Sequence, residues 1–214
     1  MKNNLISKII AVVVALAGIT VMIGWIFDIT VLKSILPQFV TMKFNTAFCF
    51  FLSGMSLYFI TDIDHSKHGL ADIILVFINF LIILIMFSLL ISIFVGIRTG
   101  MEDLFVKEAL GAVYTFVPGR PALFTIISFI LVAGAGLMIL FKGKISFKIA
   151  RIFGLAVAGF GGLAVIGYIV NIPQFYGHFN NYSTAMALHT AILFALLGIG
   201  FFIIKSKNFY DTVE

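Results

Sequence analysis

The sequence predicts an all-α, polytopic membrane protein, with six transmembrane helices arranged as three repeated helix–outer flap–helix hairpins. Three observations carry that prediction. Apolar residues make up 62% of the 214 residues and charged residues only 11%, with a mean hydropathy of +1.18. The charges stand at the edges of long uncharged runs, and one short pattern recurs at the start of three of those runs. A soluble domain is about 45–50% apolar and about 25% charged. A chain this poor in charge cannot cover a water-facing core, which excludes a soluble enzyme, a disordered tail and a nucleic-acid module. The lone cysteine, Cys49, excludes an intrachain disulfide framework.

A helix needs roughly 20 apolar residues to cross the hydrocarbon core. Residues 9–27, between Lys8 and Asp28, form the first span. Lys2, Lys8 and the small residues Ala15 and Ala17 imitate a signal peptide. A signal core is only about 7–15 residues, however, and this run continues well past Ala17, so it is read as a retained anchor. Residues 44–61 form the second span, 73–97 the third and 121–141 the fourth. No formal charge occurs between Arg151 and Lys205, a stretch too long for one span and polar in its middle. It divides into spans 152–170 and 186–204, leaving 205–214 as a short cytoplasmic tail. A β-barrel would alternate polar and apolar residues, whereas residues 73–78 are apolar at every position.

Basic residues orient the chain. With the N-terminus inside, the inner segments hold Lys2, Lys8, Lys67, Lys142, Lys144, Lys148, Arg151, Lys205 and Lys207. The outer segments hold Lys33, Lys43, Arg98, Lys107 and Arg120. Nine against five puts both termini in the cytoplasm of a cell with a multi-pass inner membrane protein.

The recurring pattern organises these spans. Met42-Lys43-Phe44-Asn45-Thr46-Ala47 opens the second span, with Gly54 eight residues after the threonine. Met186-Ala187-Leu188-His189-Thr190-Ala191 opens the sixth, with Gly198 at the same offset. Pro121-Ala122-Leu123-Phe124-Thr125-Ile126 opens the fourth, with Ala133 in the glycine position. The lead-ins are related too. Leu32, Ile35, Leu36, Phe39 and Val40 take helical spacing, as do Val106, Ala109, Leu110, Val113, Tyr114 and Val117. Both are expected to form short amphipathic helices on the outer face, the second opened by a Thr99–Glu102 capping box. The third lead-in, 173–183, is irregular. In the fifth span Gly154, Ala158 and Gly162 are spaced four apart and form a close-packing face.

Candidate chemistry is sparse. His65 and His68, with Asp62 and Asp64, have metal-ligand spacing, but a short hydrophilic loop reads as solvated. No facing histidine pair lies within the spans to hold a haem, so neither a metal nor a cofactor is assigned. No span contains a carboxylate, lysine or arginine, which argues against ion-coupled transport. Ser53 and Ser56 have no neighbouring base, no phosphate loop occurs, and Asn181-Tyr182-Ser183 is a glycosylation sequon on its own. The best candidate is a ligand site where the second, fourth and sixth spans begin. Asn45, Thr46, Thr125, His189 and Thr190 would line it, with Arg120 and Trp25 at its rim. Helix N-termini there favour a polar or anionic group.

The run Ile23-Gly24-Trp25-Ile26-Phe27-Asp28-Ile29, then Leu36-Pro37 and Met42 to Ala47 with Phe50-Phe51-Leu52-Ser53-Gly54, resembles membrane-associated sensor domains. These are the N-terminal input domains of bacterial and archaeal sensor histidine kinases and diguanylate cyclases. Pro118-Gly119-Arg120 and the segment from Met186 to Gly198 resemble the same group. The resemblance implies a non-enzymatic input module that relays a membrane or extracytoplasmic cue to a cytoplasmic output. After the sixth span only residues 205–214 remain, so the output is expected on a following or separate module. The expected partners are the lipid bilayer, and a second copy or a cytoplasmic signalling protein. The alternatives are a small transporter or channel without proton coupling, and a structural subunit of a larger complex. A polar path through the centre would favour transport; a closed apolar centre under an outer site would favour sensing.

Overall fold

The computed structural model describes residues 2–62, 69–179 and 183–204, and every regular element in them is helical. His65, His68, the Asn181-Tyr182 pair and the 205–214 tail lie outside the described residues. In order come α1 (Lys2–Ile26), α2 (Thr30–Lys33), α3 (Phe44–Asp62), α4 (Leu70–Val95), α5 (Leu123–Ile139), α6 (Lys144–Val170) and α7 (Leu188–Ile203). Single 3₁₀ turns stand at Met101–Asp103 and Pro173–Tyr176. By length and apolar content, α1, α3, α4 and α6 are able to cross a bilayer, while α5 and α7 are apolar but shorter.

Exposure divides the helices into two groups. On α4, Ile73, Phe77, Phe80, Leu84, Phe87 and Phe94 point out of the fold, and α1 and α6 present similar apolar faces. Such surface is tolerable only against lipid or another protein. No large apolar residue of α3 is exposed and only Leu123 is on α5, whereas α7 exposes Ile192, Ile199 and Phe202. The contacts nevertheless group α7 with α3 and α5. α3, α5 and α7 meet at the centre, and each outer helix lies across two of them: α1 on α3 and α7, α4 on α3 and α5, α6 on α5 and α7.

Small residues set these contacts, because close approach of backbones supplies the packing that the hydrophobic effect cannot supply in lipid. A Cβ on Gly54 would stand 2.6 Å from the Ala11 carbonyl oxygen of α1. A Cβ on Gly198 would collide with the Gly154 carbonyl and the Ala158 amide of α6. One position of the expected packing face needs correction. Gly162 meets nothing within 4 Å, whereas a Cβ on Gly161 would lie 2.5 Å from the Ala191 oxygen and the Ala195 nitrogen of α7. Gly154 and Ala158 are a full turn apart, but the crossing advances by seven residues from Gly154, not eight, so the contact falls on Gly161.

A polar clamp crosses the interior as well. Asn79 of α4 is fully buried, exchanges hydrogen bonds with Ser56 of α3 at 3.0 and 3.1 Å, and donates to its own Leu75 carbonyl. Gly136 of α5 packs against the same amide, where a Cβ would approach Oδ1 to 2.6 Å.

The lead-ins are not the amphipathic helices that their spacing suggests. α2 stops at Lys33, and the Ser34 hydroxyl then donates to the Leu36 and Phe39 carbonyls at 2.7 and 3.0 Å, closing a turn that carries Pro37. In the second lead-in Glu102 does reach back to the Thr99 amide at 3.1 Å, as a capping box would. The helix nevertheless ends after one 3₁₀ turn, and residues 104–122 run as turns. Gly111 (φ +80°) and Tyr114 (φ +45°) hold left-handed backbone there, which no helix accommodates.

Candidate functional site at the flap end

Three rings close the centre of the bundle. Phe50, Phe129 and Phe194, one each from α3, α5 and α7, are completely buried. Their centroids lie 4.8 Å (Phe50–Phe129), 4.7 Å (Phe50–Phe194) and 4.7 Å (Phe129–Phe194) apart, mutually tilted. This is the spacing favoured by aromatic quadrupoles. Each ring stands four residues after a threonine of the recurring pattern. Residues four apart share a helix face, so Thr46, Thr125 and Thr190 lie one turn nearer the flaps on the same inward side. All three are buried.

Above them the first two flaps are joined by buried charge. Lys43 and Glu108 pair at 2.6 Å with side chains only 3% and 4% exposed. The Lys43 ammonium also donates to Thr115 Oγ1 at 2.7 Å and Thr41 Oγ1 at 3.2 Å, which uses all three of its protons. Glu108 accepts from Thr41 Oγ1 at 2.7 Å and from the Gly119 amide at 2.8 Å. Burial lowers the Lys43 pKa from its ordinary value, although the Glu108 carboxylate pulls it back up. Gly119 then passes the network on. Its carbonyl accepts from Asn45 Nδ2 at 3.0 Å, and its α-carbon sits against the Glu102 carbonyl at φ +76°. No residue with a side chain fits that place. The Asn45 Oδ1 is buried without a partner.

Arg120 belongs to a second cluster. It is 8% exposed, and its Nη2 donates to Ser92 Oγ at 2.6 Å and pairs with Glu102 Oε1 at 3.4 Å. Ser92 also donates to Glu102, whose other oxygen accepts from the Thr99 and Gly100 amides at 3.1 Å each. Burial alone would raise the Glu102 pKa; the hydrogen bonds, with the Arg120 charge, hold it below the usual carboxylate range. The Arg120 Nε is buried and unpartnered. Beside it opens a cavity of about 380 Å³ walled by Ile93, Phe116, Phe124 and Phe179, with Ser183 and Thr184 at one side.

The seven residues expected to form one ligand site are thus distributed. The three threonines surround the central axis, and Asn45 is tied to the second flap. Arg120 faces a lateral cavity rather than the rim of the axis. Trp25 lies over the first flap, its indole donating to the Met42 carbonyl at 2.8 Å with Lys33 4.8 Å above the ring. His189 is half-buried at the start of α7, and its Nε2 has no partner. Sequence reading missed Lys43, Glu108, Glu102 and Ser92 as a set, and it missed Tyr168. The Tyr168 hydroxyl donates to the Met186 carbonyl at 2.8 Å, the counterpart of the Trp25–Met42 bond. A signal for Tyr168 was present: in Gly24-Trp25 and Gly167-Tyr168 the glycine stands four residues, and the aromatic residue three, before a left-handed Asp28 or Asn171. No protein-family model, curated protein or solved structure matches the chain.

Proposed function

We propose that the chain is a membrane-embedded sensory module, without catalysis of its own, that receives a cue at its flap end and relays it through α7 to a cytoplasmic output. The observation that carries this reading is the closed aromatic centre of Phe50, Phe129 and Phe194 beneath buried threonines. A carrier or channel needs a polar route at this depth, and the three rings fill it. At the flap end Asn45, Arg120 and His189 hold unpartnered buried atoms, as Ser53 and Ser128 do within α3 and α5. Such atoms are costly to leave unpaired and stand out as ligand contacts.

In this reading six helices span the inner membrane as three hairpins, α1/α3, α4/α5 and α6/α7, with both termini in the cytoplasm. Support comes from matched details. Trp25 and Tyr168 clasp the carbonyls of Met42 and Met186 at the same 2.8 Å. The Ile29 and Ile172 amides bond the Gly24 and Gly167 carbonyls, both at 2.8 Å, across left-handed Asp28 and Asn171. α5 is only 17 residues long, roughly 25 Å at 1.5 Å per residue, short of a full crossing. The irregular lead-ins 120–122 and 184–187 supply the missing depth. Irregular backbone is tolerated there when protein surrounds it, and the Ala185 and Met186 amides are satisfied by the Tyr114 and Tyr176 carbonyls. A second copy of the chain or a cytoplasmic signalling protein would receive the output.

Paired spin labels at the ends of α1 and α7 away from the flaps, in a Cys49→Ala background, test the relay. Asn45→Ala and His189→Ala are expected to shift the inter-label distance distribution although neither label is near the substitution. An unchanged distribution in both variants would defeat the proposal.

A further inference from the structure

The lateral cavity beside Arg120 differs in chemistry from the axial threonines. Its walls are Ile93 from α4 and Gly96 just beyond its end, Leu123 and Phe124 from α5, Phe116 and Val117 from the second flap, and Phe179 from the third. Leu123, Phe116 and Phe179 are also exposed on the outer surface, so the cavity opens sideways, on the flank that carries the exposed apolar face of α4. At about 380 Å³ it has the size of a small-molecule site. Phe124 and Phe179 meet edge to face at 5.9 Å, and Phe124 stacks on Phe160 at 5.5 Å, so the wall is built rather than incidental.

Arg120 is the one charged residue lining this cavity, and its charge is already balanced. Glu102 pairs with Arg120 while being fully enclosed and bonded by Ser92, Thr99 and Gly100. A bound anion would therefore add uncompensated charge to an apolar cavity, which costs several kcal/mol. The Nε–H, by contrast, is a buried donor with nothing to accept it. We propose that the cavity binds an uncharged, mainly apolar molecule from the lipid phase, whose carbonyl oxygen accepts a hydrogen bond from Arg120 Nε. This names the ligand class for the sensing reading above and rests on that reading for its consequence, not for the binding itself.

The test uses the full chain in lipid nanodiscs and three photoreactive diazirine probes of equal length: a long-chain methyl ketone, the alkane and the carboxylate. Crosslinks are mapped by peptide mass. The ketone is expected to label the peptides carrying Phe116, Phe124 or Phe179 saturably, and about tenfold more strongly than the alkane, the worth of one buried hydrogen bond. Arg120→Lys keeps the charge facing Glu102 but removes the Nε donor; it should erase the ketone's advantage and leave alkane labelling unchanged. Leu123→Trp fills the mouth without touching the ion pair and should abolish labelling by both. Preference for the carboxylate, or no saturable labelling of these peptides by the wild-type chain, would overturn the proposal. Ketone labelling with no shift of the spin-label distances would keep the site and sink the sensing role instead.

Discussion

Replacing Lys43 by methionine removes the one cation that, among the described residues, pairs with the Glu108 carboxylate in the junction of the first two flaps. Glu108 would retain Thr41 and the Gly119 amide but hold an unbalanced charge on a side chain 4% exposed. Breaking a buried pair by removing one partner costs about 3–5 kcal/mol. Removing both, in Lys43→Met/Glu108→Leu, strands chiefly the Gly119 amide, at about 1–3 kcal/mol. The single losses should therefore exceed additivity by at least about 3 kcal/mol in a double-mutant cycle. The two singles also differ in pH dependence. In Glu108→Leu nothing opposes the burial that already lowers the Lys43 pKa, so the lysine folds neutral at a lower pH. A base whose folded pKa lies below its unfolded value makes stability rise with pH between the two, so the Glu108→Leu defect should shrink as pH is raised from 7 to 9.5. The Lys43→Met defect should not. The assay is reversible unfolding by sodium dodecyl sulfate in mixed micelles. Single substitutions each costing under about 1 kcal/mol, and adding without coupling, would show a solvated surface pair and refute the reasoning.

Three further outcomes follow from the packing and charge. Phe129→Ala should cost about 3–5 kcal/mol in the same unfolding assay, and Phe129→Leu clearly less, since the leucine refills part of the space among Phe50 and Phe194; equal losses would show that the rings are not mutually packed. Gly198→Ala should lose about 1–3 kcal/mol by forcing α6 and α7 apart, while Gly162→Ala, which meets open space, should be neutral or gain about 0.5–1 kcal/mol. Stability held by Glu102 is fully present above its ordinary pKa of 4.5 and is lost as pH falls through its depressed folded value. A melting-temperature scan from pH 7 downward should thus steepen below about pH 4.5, and Glu102→Gln should flatten that slope; an unaltered slope would place the acid sensitivity elsewhere.

The helices were legible because lipid-facing sequence is so constrained: charges at Asp28, Lys43, Asp72, Arg98 and Lys142 sit within a few residues of the ends of helices, whereas α1 and α6 start well before Lys8 and Arg151. Of the recurring Thr–small-residue pattern, the glycines Gly54 and Gly198 do touch the preceding long helix. The ring four residues after each threonine was equally present in the sequence, but 25 phenylalanines gave that position no contrast. The lead-ins misled because spacing alone cannot see Gly111 and Tyr114 adopting left-handed backbone, nor Pro37 closing a turn. In sequence Arg120 stands at the rim of the candidate site, Glu102 in a capping box and Lys43 in the recurring pattern, and nothing pairs them with one another or with Glu108. Their pairing depends on flaps that fold back between elements separated by up to 65 residues, and no local pattern encodes that return.

The central claim is that the bundle senses at one end and is shut through its middle by Phe50, Phe129 and Phe194. Stopped-flow light scattering of proteoliposomes with small neutral solutes, glycerol and urea, tests it most directly. The account predicts permeation no faster than in protein-free liposomes for the wild-type chain. A saturable flux through the wild-type chain, blocked by Phe129→Trp, would contradict it and make the axis a pathway.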